Sequence, residues 1–457
     1  MYLAYIISPM KNRYQTIIIA ILLLSGLAVT ANGQSKTDQR LIISVNAAEE
    51  SYFCNEKGER LSNLPFQEVW DFREGMAPVK MGGKEGYVNE ACELVVPCKY
   101  DYAYYYNEGM AMVEKHGKYG FIDKDGKLAI PCKYKAADKF ESGLAAVYKK
   151  GKWGFIDKKG SVVIPFKYDE AYRFQKGLAR VCLDGKWGFI DKTGKVVVPI
   201  IYDGAEMEWW DRSIRVCLDG KWGTVDLNGN TVIPLEYDSI DFEFSNICDL
   251  DRIKKDGKWG YVDSLGHIEI PCLYKDAKPL IDGFAFVSED GENYGLIDRK
   301  GNRITPFVYT ETNDFYEGMS AVKRDGKWGY IDCQGKTVIP FIYENAYSFS
   351  EGLAQVSRDG KCGYIDTRGE VVIPFKFSSA GSFYEGLADV QLNGKWGFID
   401  KTGDLVIPCE YRFVESFRAG LSKVCSWKDH LYGAIDKEGN VVIPIECYSN
   451  MDMHWSF

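Results

Sequence analysis

Four histidines, His116, His267, His430 and His454, are all the imidazole this chain has, and none stands four residues from another. A zinc site or a nucleophile–histidine triad needs such groups spaced to converge, and nothing here is so spaced. Among thirteen cysteines there is no C-x-x-C pair. Asp249 and Asp251 lack the further oxygen ligands of a calcium loop. No glycine-rich phosphate loop opens a helix. Carboxylates are abundant, and a glycosidase needs two of them about 5–10 Å apart across a cleft. Yet the recurrent aspartates, Asp157 in D-K-K-G for one, stand where a turn takes an aspartate for its own backbone. The recurrent lysines, Lys152, Lys186, Lys221 and Lys258, can lay their stems along tryptophan faces with the ammonium in water. No catalytic residue, cofactor or metal ligand is expected, and the chain does not read as an enzyme.

These side chains hang on a stretch that the chain keeps rewriting, Gly151-Lys152-Trp153-Gly154-Phe155-Ile156-Asp157. Its second glycine falls at Gly86, Gly120, Gly154, Gly188, Gly223, Gly260, Gly295, Gly329, Gly363, Gly397 and Gly433, at gaps of 34 to 37 residues. A fixed period of this size marks a repeat array. It overrides the three or so domains that length alone suggests, because each repeat leans on its neighbours. Residues 143–177 show the pattern: period-2 alternation in Ala145–Tyr148 and Lys152–Asp157, glycine turns at Gly151 and Gly160, and a third strand, Ser161–Phe166, that carries Pro165. A proline there suggests a strand edge, and Gly154 a bulge or a close backbone approach. Tyr168, Ala171 and Phe174 then follow at threes, as one helical turn or a short fourth strand. Trp153, Trp187, Trp222, Trp259, Trp328 and Trp396 are expected in the repeat cores.

G-K-W-G-F-I-D-x-x-G, V-I-P, Y-D-x-A and F-x-x-G-L-A-x-V together resemble the WG-repeat family of bacterial proteins, over about residues 66–448. The resemblance implies a β-rich repeat array and little chemistry. Five of the eleven repeats depart from it, with Glu85, Tyr119, Tyr294, Cys362 or Tyr432 at the tryptophan position, and should be less well filled. The fold expected is all-β, tandem hairpin or meander repeats stacked as an open, twisting solenoid. The alternative is a closed, β-propeller-like array, though propellers usually have four to eight blades of forty or more residues.

The ends read differently. Lys11 and Arg13 precede an apolar run, Ile17 to Val29, and small residues follow, so residues 1–33 read as a signal peptide. Residues 34–65 read as an N-terminal cap, a degenerate half-repeat, and 449–457 as a tail. An exported chain in the periplasm, at the cell surface or secreted is implied, with no membrane span once the signal is removed. The net charge of −9 has no basic cluster to set against it, which disfavours nucleic acid and anionic lipid. Four cysteines, Cys98, Cys132, Cys272 and Cys409, follow the V-I-P proline, a slot that is apolar elsewhere. A buried thiol behaves there as a small hydrophobe.

Function should sit where the regularity breaks. Two neighbouring repeats break together. After Tyr202 the chain gains Trp209, Trp210 and Asp211, and after Tyr237 it gains Asp241, Glu243, Asp249 and Asp251. Stacking should bring these equivalent loops side by side, although one of the two tryptophans would replace the aromatic of Phe174's position. Trp209, Trp210, Asp211, Asp241 and Glu243 are the candidate binding residues. The expected role is a scaffold for another protein. A carbohydrate-binding role, with aromatics stacking on sugar and carboxylates taking hydroxyls, is the alternative, and a carboxylate glycosidase the remote one.

Overall fold

The computed structural model describes residues 42–45, 51–55, 57–207, 213–241, 248–428, 430–447 and 454–456. Its strands fall into eleven successive antiparallel meanders. Repeat 1 spans residues 68–100, repeat 2 102–134, repeat 3 136–168, repeat 4 170–202, repeat 5 204–237 and repeat 6 239–274. Repeat 7 spans 276–309, repeat 8 311–343, repeat 9 345–377, repeat 10 379–411 and repeat 11 413–447. Repeat 4, like repeat 2, has four full strands: Glu170–Gln175, Leu178–Leu183, Lys186–Asp191 and Val196–Tyr202, each paired with the next. No α-helix occurs among the described residues.

The turns follow from residue type. Lys176-Gly177 and Asp184-Gly185 both hold positive φ at both positions (48° and 82°, 51° and 76°), the two-residue geometry whose twist matches paired strands. The next turn is tied by an aspartate. Asp157 Oδ1 accepts the N–H of Lys159 at 2.9 Å and of Ser161 at 2.8 Å, and Asp191 does the same for Thr193 and Lys195. The recurrent aspartates are occupied by their own turns.

The glycine and the proline of each repeat are two sides of one irregularity. In repeat 3 Trp153 faces Tyr168 and Phe155 faces Ile164, so the fourth strand carries extra residues, Pro165 among them, opposite Gly154. A Cβ on Gly154 would lie 2.7 Å from the Ile164 carbonyl oxygen. Only hydrogen fits, and the proline spends no donor where the ladder is broken.

Tyr168 ends the fourth strand of repeat 3, while Ala171 and Phe174 lie in a strand that opens the next sheet. It has six residues in repeat 4, Glu170–Gln175, and two in repeat 3, Ala136–Ala137. Each core lies between successive sheets. Phe155, Ile164 and Tyr168 of repeat 3 pack with Ala171, Phe174, Ala179, Val181 and Ile190 of repeat 4. The pair Phe155–Phe174, centroids 5.0 Å apart, recurs as Phe121–Phe140, Tyr330–Phe349, Tyr364–Phe383 and Phe398–Phe417. Repeats therefore stack neighbour on neighbour, as both the solenoid and the propeller-like readings require. In eight of the eleven repeats the residue two past the tryptophan position is a buried aromatic, as Phe155 is. Trp328 is buried, whereas Trp153, Trp187, Trp222, Trp259 and Trp396 are partly buried and pack at the margins of their clusters.

Where the tryptophan is missing the neighbours have changed with it. Cys362 is buried and takes a hydrogen bond from the buried Gln355 amide at 3.3 Å. Glu85 is buried and accepts the N–H of Ala103 at 2.6 Å. Burial pushes the Glu85 carboxyl above its ordinary value, with the Ala103 bond opposing. Cys98, Cys132, Cys272, Cys362 and Cys409 are free thiols. Cys98, Cys272 and Cys409 point their sulfurs at second-strand carbonyls, at 3.7–3.8 Å.

One further sheet joins distant parts of the chain. Ile42–Val45 pairs with Tyr52–Cys54 on one side and with His454–Ser456 on the other.

Candidate functional site

Recurrent charges help to hold the array together. The lysine before the tryptophan reaches the aspartate after the fourth strand: Lys152–Asp169 at 2.5 Å, Lys186–Asp203 at 2.5 Å, Lys221–Asp238 at 2.7 Å. These lysines are paired in their own sheets, so they do not form a free cationic row.

A second ladder runs from repeat to repeat through the first two-residue turn. Glu74 accepts the N–H groups of Glu108 (2.7 Å) and Gly109 (2.9 Å), and Glu108 those of Ser142 (2.6 Å) and Gly143 (2.8 Å). The same bonds run Glu317 to Gly352, Glu351 to Gly386 and Glu385 to Gly420 at 3.0–3.1 Å. Successive N–H groups in such a turn make a small anion-binding concavity. Between the two runs the glutamate position holds Ser142 in repeat 3, Lys176 in repeat 4 and Asp282 in repeat 7.

Burial works against ionisation at Glu74 and Glu385. The Gly109 and Glu108 N–H groups with Lys124, and Lys437 with the Gly420 N–H, outweigh it and hold both below the usual carboxylate value. A carboxylate depressed in the folded state stabilises it above the unfolded pKa and ceases to do so as pH falls through the folded one. Glu385→Gln should therefore lower the urea midpoint at pH 7, and the difference from the parent should shrink in acid. A gap that stays constant down to pH 3 would contradict the ladder.

Where the glutamate ladder pauses, arginines enter the core-facing slot that Ala146 and Ala321 hold elsewhere. Arg180 lies over the rings of Tyr172 (4.2 Å) and Trp187 (4.7 Å) and donates to the Ala205 carbonyl of repeat 5 at 3.1 Å. Arg215 pairs with Glu206 at 3.3 Å and reaches the Ile240 carbonyl. Arg252 pairs with Asp241 at 3.2 Å, lies over Trp259 and donates to the Ala277 carbonyl. Each guanidinium ties one sheet to the first strand of the next. The arginines escaped the sequence reading, although the signal was present as L-A-R-V, S-I-R-V and L-D-R-I in successive repeats.

Repeats 6 and 7 are joined more firmly still. The second strand of repeat 6, Cys248–Lys255, has eight residues, and its start pairs with Leu280–Ile281 of repeat 7, merging the two into one eight-stranded sheet. Among the described residues no other two neighbouring repeats share a sheet. The seam braces one base of the segment 242–247, and Asp241, ion-paired with Arg252, marks the other.

Asp241 thus sits at the end of the strand Ser239–Asp241, committed to Arg252 and to the Ser239 hydroxyl, which donates to it at 3.1 Å. Trp209, Trp210, Asp211 and Glu243 lie outside the described residues. His267 approaches Asp263 of its own turn at 3.0 Å.

Sheets of this kind, stacked at a 34-residue period, define a tandem β-meander repeat protein. The family described as "WG containing repeat" matches residues 53–84, 86–119, 119–153, 153–187, 187–207, 222–259, 259–292, 294–328, 328–362, 363–396, 396–426 and 432–449, and the chain belongs to it. No curated protein matches the chain. Solved structures similar to it include a eukaryotic initiation factor, 9% identical, covering 73% of this chain and 95% of its own, with a TM-score of 0.31. BamB from Moraxella catarrhalis is 10% identical, covering 68% and 96%, with a TM-score of 0.26. Sqt1 from Saccharomyces cerevisiae is 12% identical, covering 65% and 91%, with a TM-score of 0.25.

Proposed function

We propose that this chain is an exported, non-enzymatic scaffold that docks another protein on repeats 4–6. The observation that carries the reading is the seam between repeats 6 and 7. There the array departs from separate sheets and braces a base of the segment 242–247, next to the arginine row. A rigid frame under irregular loops is how repeat arrays present binding residues. Export rests on residues 1–33, with their basic start and short apolar run. Among the described residues no helix is long and apolar enough to cross a membrane.

The partner's footprint is the aromatics Trp209 and Trp210 with the carboxylates Asp211 and Glu243, which suit a cationic protein surface. Aromatic anchors dominate binding energy and rim charges steer. Alanine at both Trp209 and Trp210 should weaken binding by about 2 kcal/mol or more. Glu243→Gln should slow association in a salt-dependent way. The test is a pull-down from the parent cell envelope with the wild type and with each loop replaced by the regular D-E-A-Y-R-F-Q-K-G-L-A. Equal partner recovery by all versions would overturn the site. A glycan array on the same proteins decides the carbohydrate-binding alternative.

A further inference from the structure

We propose that residues 42–45, 51–55 and 57–66 and the strand His454–Ser456 together form a twelfth repeat, and that the edge of Ile42–Val45 is a docking site for that strand. The array then continues from repeat 11 through this composite sheet into repeat 1.

Register supports it first. In repeat 4, Phe174 faces Ala179 and Gln175 faces Leu178, while Ala179 faces Ile190, the residue before the turn aspartate. In the terminal sheet, Trp455 faces Ile43 and Ser456 faces Ile42, while Ile43 faces Cys54, the residue before Asn55. Asn55 Oδ1 accepts the N–H of Lys57 and of Glu59 at 3.0 and 2.9 Å, as Asp157 does in its turn. Bridges Cys54 to Arg60 and Ser51 to Phe66 then add the fourth strand, as Ile156 to Val162 and Trp153 to Tyr168 do in repeat 3. Ile42–Val45 is therefore a second strand, His454–Ser456 a first, and Trp455 takes the position of the aromatic Phe174.

Packing supports it independently, on both faces. Phe53 and Phe66 are buried against Val69, Ala77, Val79 and Val88 of repeat 1. On the other face a Cβ at Gly58 would lie 1.8 Å from the Val442 carbonyl oxygen of repeat 11. Gly229 and Gly266 meet the Val197 and Val232 carbonyls of their preceding repeats in the same way, at 2.5 and 2.3 Å. The composite sheet follows repeat 11 as each repeat follows the one before it.

In repeats 1–4 and 7–11 a two-residue turn tethers the first strand to the second. In the twelfth no turn does, so pairing alone holds His454–Ser456 in place, and strand addition to a sheet edge is a recognised docking mode. Deleting residues 448–457 from the full chain should raise amide exchange in 68–100 and 413–447 by about tenfold or more, leaving 170–202 protected. A peptide of residues 446–457 added in trans should restore protection. Exchange unchanged by the deletion would overturn the proposal. Should the deletion fail to fold, paired Ser44→Cys and His454→Cys changes decide the matter, since these residues face each other. A disulfide within one chain, mapped by mass spectrometry of peptides, is expected. No disulfide, or one only between chains, would overturn it.

Discussion

Phe155→Ala is expected to cost roughly 3–5 kcal/mol, the largest loss of any single side chain in repeat 3. Phe155 is fully buried, its ring 5.0 Å from Phe174, with Ile164, Tyr168, Val181 and Ile190 around it. The core lies between repeats 3 and 4, so a cavity there weakens one interface rather than the whole array. Amide exchange should rise across 136–202 and stay unchanged across 345–411. Trp153→Ala is the control. Its indole is partly buried at the margin of the same cluster, and less apolar area leaves water there on folding. Its loss should be smaller by at least about 1 kcal/mol. Equal losses would mean that the indole, not the phenyl ring, seats the interface.

Gly266→Ala should be the most damaging of the glycine changes in repeat 6. Gly266 has φ of +88°, and a Cβ on it would lie 2.3 Å from the Val232 carbonyl of repeat 5. A left-handed backbone costs an alanine about 1–2 kcal/mol, and forcing apart packed backbone about 1–3 more. Gly257, with φ of +76° and nothing within 4 Å of the added Cβ, carries only the first cost. Urea unfolding of the two variants should separate by the second, with the same slope and a lower midpoint for Gly266→Ala. Indistinguishable midpoints would mean that the repeats are free to part at that turn.

Comparison of the two glycines shows why some of this fold is legible from residue order and some is not. Both stand in turn sequences, and both turns were readable. Only Gly266, in the aspartate-tied turn, touches the preceding sheet, and stacking alone decides that this turn abuts a neighbour while the two-residue turn at Gly257 faces open space. The tryptophan teaches the same lesson. Trp153 and Phe155 alternate onto one face, so periodicity treats them alike. Trp153 pairs with Tyr168 at the strand's end and Phe155 with Ile164 inside it, so depth in the stack separates them. The strand after Tyr168 was ambiguous because it belongs to the following sheet, where its partner lies beyond the next turn.

By itself the sequence determined the repeat, its period, its all-β character, the glycine turns at Gly151 and Gly160, and the turn role of the aspartates. Those are set within a few residues by the φ that glycine allows, by a carboxylate reaching its own backbone and by alternation along a strand. The tertiary structure decided which aromatic fills each core, how the arginines of repeats 4–6 reach the next sheet, where repeats 6 and 7 merge, and that Ile42–Val45 meets His454–Ser456. Each of these is a contact between segments distant along the chain, made by stacking, and stacking energy is summed over whole faces rather than written in any one motif.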